Sequence, residues 1–99
     1  MIILIILKYF FLLLINVFGT VKCTTEGNTL TCSGSGNMQD YEDRSSCRFG
    51  NNIEKVIIGN DVTSIGDYTF YSCSSLKTVE INEKESKLNF IGDSAFYGC

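Results

Sequence analysis

Two blocks in the second half of the chain recur in the same order, and this repetition restricts the fold more than any other feature. Ile53-Glu54-Lys55-Val56-Ile57-Ile58 aligns with Leu76-Lys77-Thr78-Val79-Glu80-Ile81 at an offset of 23 residues. Ile65 to Cys73 aligns with Ile91 to Cys99 at an offset of 26, with six of nine positions identical. The two offsets differ by three residues, which places an insertion within Asn82 to Asn89, a polar and charged stretch of the kind loops tolerate. A unit this short cannot bury its own apolar face. It must stack on copies of itself, so the chain is expected to form a solenoid.

Each block carries its own local instructions. Val56, Ile58, Val79 and Ile81 alternate with Lys55, Ile57, Thr78 and Glu80, the pattern of a half-buried strand. Asp67 and Asp93 follow Gly66 and Gly92, where a helix N-cap belongs. The expectation is a short strand plus a single helical turn per repeat. That turn would end near Cys73 and Cys99, with Phe70 and Phe96 facing inward beside Ile65 and Ile91. The units run 53–75 and 76–99. Two coils are fewer than the roughly three a solenoid needs, and the second presents an open stacking face, so the solenoid is expected to be incomplete at its C-terminus.

The first 19 residues differ sharply from the rest, holding 16 of the chain's 44 hydrophobic residues, one lysine and no acid. Tyr9 to Phe18 followed by Gly19 reads as a secretory signal peptide cleaved after Gly19. The competing reading, a retained membrane anchor, meets Lys8 after seven residues and Asn16 further on, whereas a spanning helix needs about 20 apolar residues. The protein is therefore expected to be secreted or displayed at the cell surface.

Residues 20–99 carry 7 basic and 11 acidic side chains, a net charge of −4. Such a surface has no basic face for nucleic acid and is repelled by anionic lipid heads. Five cysteines (Cys23, Cys32, Cys47, Cys73 and Cys99) enter an oxidising compartment on this reading, and the odd count leaves at least one unpaired within the chain. Their connectivity is open. A bridge among Cys23, Cys32 and Cys47 would staple the pre-repeat segment 20–52. Cys73 and Cys99 are expected to stack as reduced, buried small hydrophobes. A bridge between adjacent coils is the alternative.

These blocks resemble the BspA-like leucine-rich repeats of surface antigens in bacteria and parasitic protists. That unit follows its strand with V-T-S-I-G-x-x-A-F-x-x-C and then S-S-L. Here Val62-Thr63-Ser64-Ile65-Gly66-Asp67-Tyr68-Thr69-Phe70-Tyr71-Ser72-Cys73-Ser74-Ser75-Leu76 supplies the first copy, and Ile91 to Cys99 supplies part of the second. The match covers Ile53 to Cys99. Thr69 stands where the family has Ala, and Gly59 where it commonly has proline. Upstream, Thr29 to Tyr41 is similar to the strand-and-loop segment that precedes such repeats. The resemblance implies a β-rich leucine-rich-repeat solenoid with an N-terminal cap over residues 20–52.

Nothing in the chain assembles into a catalytic constellation. With no histidine, Ser-His-Asp and Cys-His arrangements are excluded. The cysteine spacings of 9, 15, 26 and 26 do not suit zinc. Gly34-Ser35-Gly36 lacks the third glycine and the βαβ setting of a dinucleotide site and reads as a turn. Asp40, Glu42 and Asp43 lack the EF-hand pattern and read as a solvated loop. There is no Asn-x-Ser/Thr sequon. No enzyme activity, cofactor, metal or small-molecule substrate is expected. What remains is the outward strand face, Lys55, Ile57, Thr78 and Glu80, as the candidate contact surface for a protein partner on a host surface or in matrix. Ile57 is the apolar member among polar neighbours, and a single exposed apolar residue is also ordinary. Two other roles compete with adhesion: repeats that merely space another domain from the cell, and a truncated reading frame without independent function.

Overall fold

The computed structural model describes residues 20–99, so the expected signal peptide lies outside the described residues. Six strands form one curled sheet: β1 (Thr20–Glu26), β2 (Thr29–Asn37), β3 (Lys55–Ile58), β4 (Val62–Ile65), β5 (Thr78–Glu80) and β6 (Phe90–Ile91). The spatial order is β5-β3-β2-β4-β6, with β1 pairing β2 off this path. β3, β4, β5 and β6 join parallel ladders, as successive turns of one solenoid must, because each coil returns to its starting side before the next strand begins. β1 and β2 form an antiparallel hairpin closed by Gly27-Asn28, with Gly27 at φ +61°, the placement of glycine in a two-residue type II′ turn.

The register reproduces both sequence offsets. Lys55, Val56 and Ile57 pair with Thr78, Val79 and Glu80, an offset of 23; Ser64 and Ile65 pair with Phe90 and Ile91, an offset of 26. The parallel ladder also reaches further upstream. Leu30 pairs with Val56 and Cys32 with Ile58, while Gly36 pairs with Val62, so β2 stacks along both strands of the following coil. β2 bends as it passes from β3 to β4. There Gly34, at φ +117°, lies so close to the backbone of Thr20 that no Cβ could be fitted.

Stacking decides burial. Val56 is 0% exposed and its copy Val79 is 42%; Ile65 is 1% exposed and Ile91 is 54%. The side chains match, but the first of each pair has a coil on either side. The core runs through Leu30, Cys32, Val56, Ile58, Val62, Ile65 and Phe70. Phe70 stacks on Phe96 at 5.2 Å and meets Phe49 of the upstream segment at 5.5 Å. That segment is held from outside as well: Arg44 lies over the ring of Tyr68, and Arg48 over that of Tyr41.

The expected helical turn does not form: no helix occurs among the described residues, and Asp67 to Ser72 is a run of tight turns. The reason lies in where the backbone N–H groups go. Thr69, Tyr71 and Cys73 donate to carbonyls three residues back, at Gly66, Tyr68 and Phe70. The alternate residues Tyr68, Phe70 and Ser72 donate to Asp93, Ala95 and Tyr97 of the next coil, at 3.0, 2.7 and 2.7 Å. A helix would keep all of these bonds within its own segment. Turning every second amide outward requires left-handed backbone at Tyr68 (φ +56°) and Ser72 (φ +59°). The next coil repeats this at Ser94 and Gly98.

Asp67 and Asp93 are accordingly not helix N-caps. Asp67 N–H donates to Asp40 Oδ1 at 2.8 Å, and Asp93 N–H donates to Asp67 Oδ1 at 2.7 Å. Each carboxylate thus satisfies the amide of its counterpart one coil on. The two departures from the family pattern are also accounted for. Thr69 is buried, and its hydroxyl donates to Gly66 O at 2.7 Å. Gly59 N–H donates to Cys32 O at 2.8 Å, a bond proline could not make.

Cys73 is not a reduced member of a thiol ladder. It forms a disulfide with Cys47, and Cys23 bonds Cys32. Cys47 precedes Cys73 by 26 residues, as Cys73 precedes Cys99, so Cys47 is the ladder position of the upstream coil. In-register stacking brings the Cα atoms of Cys47 and Cys73 to 4.5 Å, within bridging range. Cys99 is free and exposed rather than buried. Its Sγ lies 3.2 Å from Phe70 O, and partial burial pushes its thiol pKa above the ordinary value.

Candidate binding face

Leu30, Cys32, Val56 and Ile58 point into the core, so by strand alternation their neighbours point out. The pairing sets these outward residues in two rows. One row runs Glu26, Thr29, Lys55, Thr78, and the other Thr24, Thr31, Ile57, Glu80. All four residues expected from the sequence therefore share one surface, on β3 and its neighbour β5. The sequence reading did not count β1 and β2 toward the face: it took Thr29 to Tyr41 as a strand-and-loop segment with a turn at Gly34-Ser35-Gly36, whereas β2 runs as a strand through those residues to Asn37. The signal was present: Thr29-Leu30-Thr31-Cys32 repeats the alternation of Lys55-Val56-Ile57-Ile58 at 26 residues.

The electrostatics of the face are local. Lys55 Nζ lies 2.6 Å from Glu80 Oε2, with side chains 41% and 58% exposed. This diagonal contact cancels both charges over the middle of the face, and being open to solvent it adds about 0–1 kcal/mol to stability. Ile57 is half-buried rather than fully open, since Thr31 and Glu80 flank it in register.

Polar ladders border the face at both strand ends. At the entry to the strands, Asn28 Nδ2 donates to Glu54 Oε2 at 3.0 Å, and Lys77 Nζ donates to Glu54 Oε1 at 3.0 Å. One carboxylate thereby ties three coils, and these donors, Lys77 first, hold its pKa below the ordinary carboxylate value. At the exit, Asn60 Nδ2 donates to Glu85 at 3.0 Å and Lys87 pairs with Asp61 at 2.8 Å, which fixes the inserted segment against the preceding coil. The Asp61 carboxylate raises the Lys87 pKa. Between these contacts and the face lies a depression of about 430 Å³, lined in part by Ile57, Gly59, Glu80 and Asn82.

Of the upstream acidic residues, Asp40 and Asp43 are engaged within the chain and Glu42 is exposed. Asp40 accepts the Asp67 amide, as above. Asp43 Oδ1 accepts both the amide and the hydroxyl of Ser45, at 2.9 and 2.7 Å, and these bonds lower its pKa. Among the described residues no group of three His, Cys, Asp or Glu side chains is placed to hold a metal ion.

Residues 43–99 match the BspA type leucine rich repeat region, a family description comprising 6 copies. The chain belongs to the BspA-type leucine-rich-repeat family. The matched region is more than half of the chain and begins ten residues before Ile53, taking in Cys47 and Phe49, which carry the bridge to Cys73 and the aromatic contact with Phe70. Among solved structures, a leucine-rich repeat protein from Eubacterium ventriosum is similar, with a TM-score of 0.69 and 31% identity. The alignment covers 80% of this chain and 22% of that one, so the chain spans about a fifth of the length of the structure it matches. No curated protein matches.

Proposed function

We propose that this chain is an extracellular protein-binding or adhesion module whose contact surface is the outward face of β3 and β5, with Lys55, Ile57, Thr78 and Glu80 at its centre and Thr29 and Thr31 beside them. The observation that carries the reading is the continuity of that face. Three parallel strands in register present polar side chains around one half-buried isoleucine, and stacked repeats of this type serve as extended binding platforms. Leucine-rich-repeat regions generally mediate protein–protein contacts and are generally non-enzymatic, and proteins with BspA-type repeats are typically secreted or surface-bound. Two disulfides suit an oxidising compartment, which supports secretion after removal of residues 1–19. Residues 20–52 then act as the cap on the first coil, and 53–75 and 76–99 as the repeat units.

The test is binding of the chain to host cells and immobilised matrix proteins, beside Ile57→Arg and Thr78→Arg variants with unchanged unfolding midpoints. Each variant should weaken binding about tenfold or more if the face makes the contact, since central interface residues commonly contribute above 1 kcal/mol. Binding unaffected by both variants rules out this face. Absence of any binding favours the competing role of spacer repeats.

A further inference from the structure

We propose that two copies of this chain join edge to edge through antiparallel pairing of β1 with β1, with Thr24 opposite Thr24 and Lys22 of each copy opposite Glu26 of the other. β1 pairs with β2 along all seven of its residues, and no described strand occupies its other edge. The direction of its backbone groups follows from the pairing. Cys23 and Cys32 are partners with Cα atoms 4.0 Å apart, the close spacing of a non-hydrogen-bonded pair, whose amides and carbonyls point away from each other. Cys32 O accordingly accepts from Gly59 N on the β3 side. The peptide groups of Val21, Cys23 and Thr25 therefore point out of the sheet edge, free to pair with another strand.

The side chains select which strand fits. Cys23 is bonded to the buried Cys32, so Lys22, Thr24 and Glu26 stand on the opposite, outward surface. All three are exposed. Lys55, Lys77 and Lys87 each have a carboxylate partner, whereas neither Lys22 nor Glu26 meets an opposite charge among the described residues. Two opposite charges four residues apart on one face of an edge strand are complementary to themselves when the strand meets its own copy antiparallel. With Thr24 on the two-fold axis, Lys22 faces Glu26 twice. The three facing pairs then occupy non-hydrogen-bonded positions, where Cα atoms lie about 4.5 Å apart and side chains touch. The backbone of Cys23 meets that of Thr25 of the second copy, and the reverse, giving about four inter-chain hydrogen bonds. The product is a single sheet running β5-β3-β2-β1 and on through β1-β2-β3-β5 of the second copy, with both outward faces on the same side. The opposite reading of the same residues is that Lys22 is an edge charge that blocks pairing.

Sedimentation equilibrium of the full chain in a Cys99→Ser background decides between these, the serine removing cross-links through the free thiol. The expected result is a monomer–dimer equilibrium. Lys22→Glu and Glu26→Lys should each weaken it about tenfold or more, because each replaces two attractive pairs with two repulsive ones. The double swap Lys22→Glu/Glu26→Lys should restore the dimer, and the two single variants mixed in equal amounts should associate with one another. A monomer at all concentrations overturns the proposal, as does association indifferent to all these changes, which would place the contact at the apolar surface around Val79 and Ile91. Oxidative cross-linking reads the register independently: Thr24→Cys should link two copies, and Thr25→Cys should not.

Discussion

Removing the bridge between Cys47 and Cys73 tests the claim that this chain is held together across its coils as much as within them. The variant is Cys47→Ala/Cys73→Ala. Alanine leaves no hydroxyl to desolvate at positions only 6% and 2% exposed. The two cysteines are separated by 26 residues, and the chain-entropy relation assigns a loop of that length about 3.5 kcal/mol. The same relation assigns about 2.6 kcal/mol to the Cys23–Cys32 loop, whose separation is 9. A domain of about 80 residues has a total stability of roughly 4–12 kcal/mol, so losing the larger bridge removes from about three-tenths to nearly nine-tenths of it. The assay is urea unfolding followed by far-ultraviolet circular dichroism. With a slope of about 1.2–1.5 kcal/mol/M, the midpoint should fall by about 2–3 M for Cys47→Ala/Cys73→Ala and by somewhat less for Cys23→Ala/Cys32→Ala. Cys99→Ala, at the free thiol, should change the stability by less than about 0.5 kcal/mol. A loss below about 1 kcal/mol for the first variant, or a larger loss for the second, would refute the reasoning. The first result would mean that stacking alone fixes the upstream coil; the second would mean that the hairpin is the weaker unit.

Three further outcomes are expected. Phe70→Ala should destabilise by about 3–5 kcal/mol in the same assay, because a fully buried ring touching Phe49 and Phe96 leaves a cavity bounded by two rigid neighbours. Ser72→Gly should stabilise by about 0.5–1 kcal/mol: it relieves about 1–2 kcal/mol of left-handed strain at φ +59°, less the entropy glycine adds to the unfolded chain, and a lower midpoint would contradict this. Glu54 has a folded pKa below its unfolded one, so its contribution is present above the unfolded value and is lost as pH falls through the folded value. Stability measured from pH 6 down to pH 2 should therefore show a small acid-side decrease that is reduced in Glu54→Gln, the part that remains coming from groups such as Asp43 whose folded pKa is also lowered.

Several levels of this structure were legible from residues alone. The 23 and 26 offsets became the strand registers without change, because parallel in-register stacking puts equivalent positions beside each other. The alternation at Val56 and Ile58 became an inward row because a strand has only two faces. By the same rule the alternation alone assigns Lys55, Ile57, Thr78 and Glu80 to one outward surface.

The remainder depended on contacts between coils, which local pattern does not encode. Gly66-Asp67 looks like the start of a helix, yet the amides of Tyr68, Phe70 and Ser72 find better-placed acceptors in the next coil. Cys47 lacked a recognisable repeat around it, so its pairing with Cys73 emerged only when Thr29 to Asn37 was seen to stack as a coil in its own right. Lys55 and Glu80 neutralise each other only because a 23-residue offset sets them diagonally across two strands. Sequence by itself determined the repeat, the strand faces and the register, since these follow from chain geometry and side-chain type. Tertiary structure decided where each backbone amide, thiol and charge found its partner, because those energies depend on distances between coils that exist only once the stack has formed.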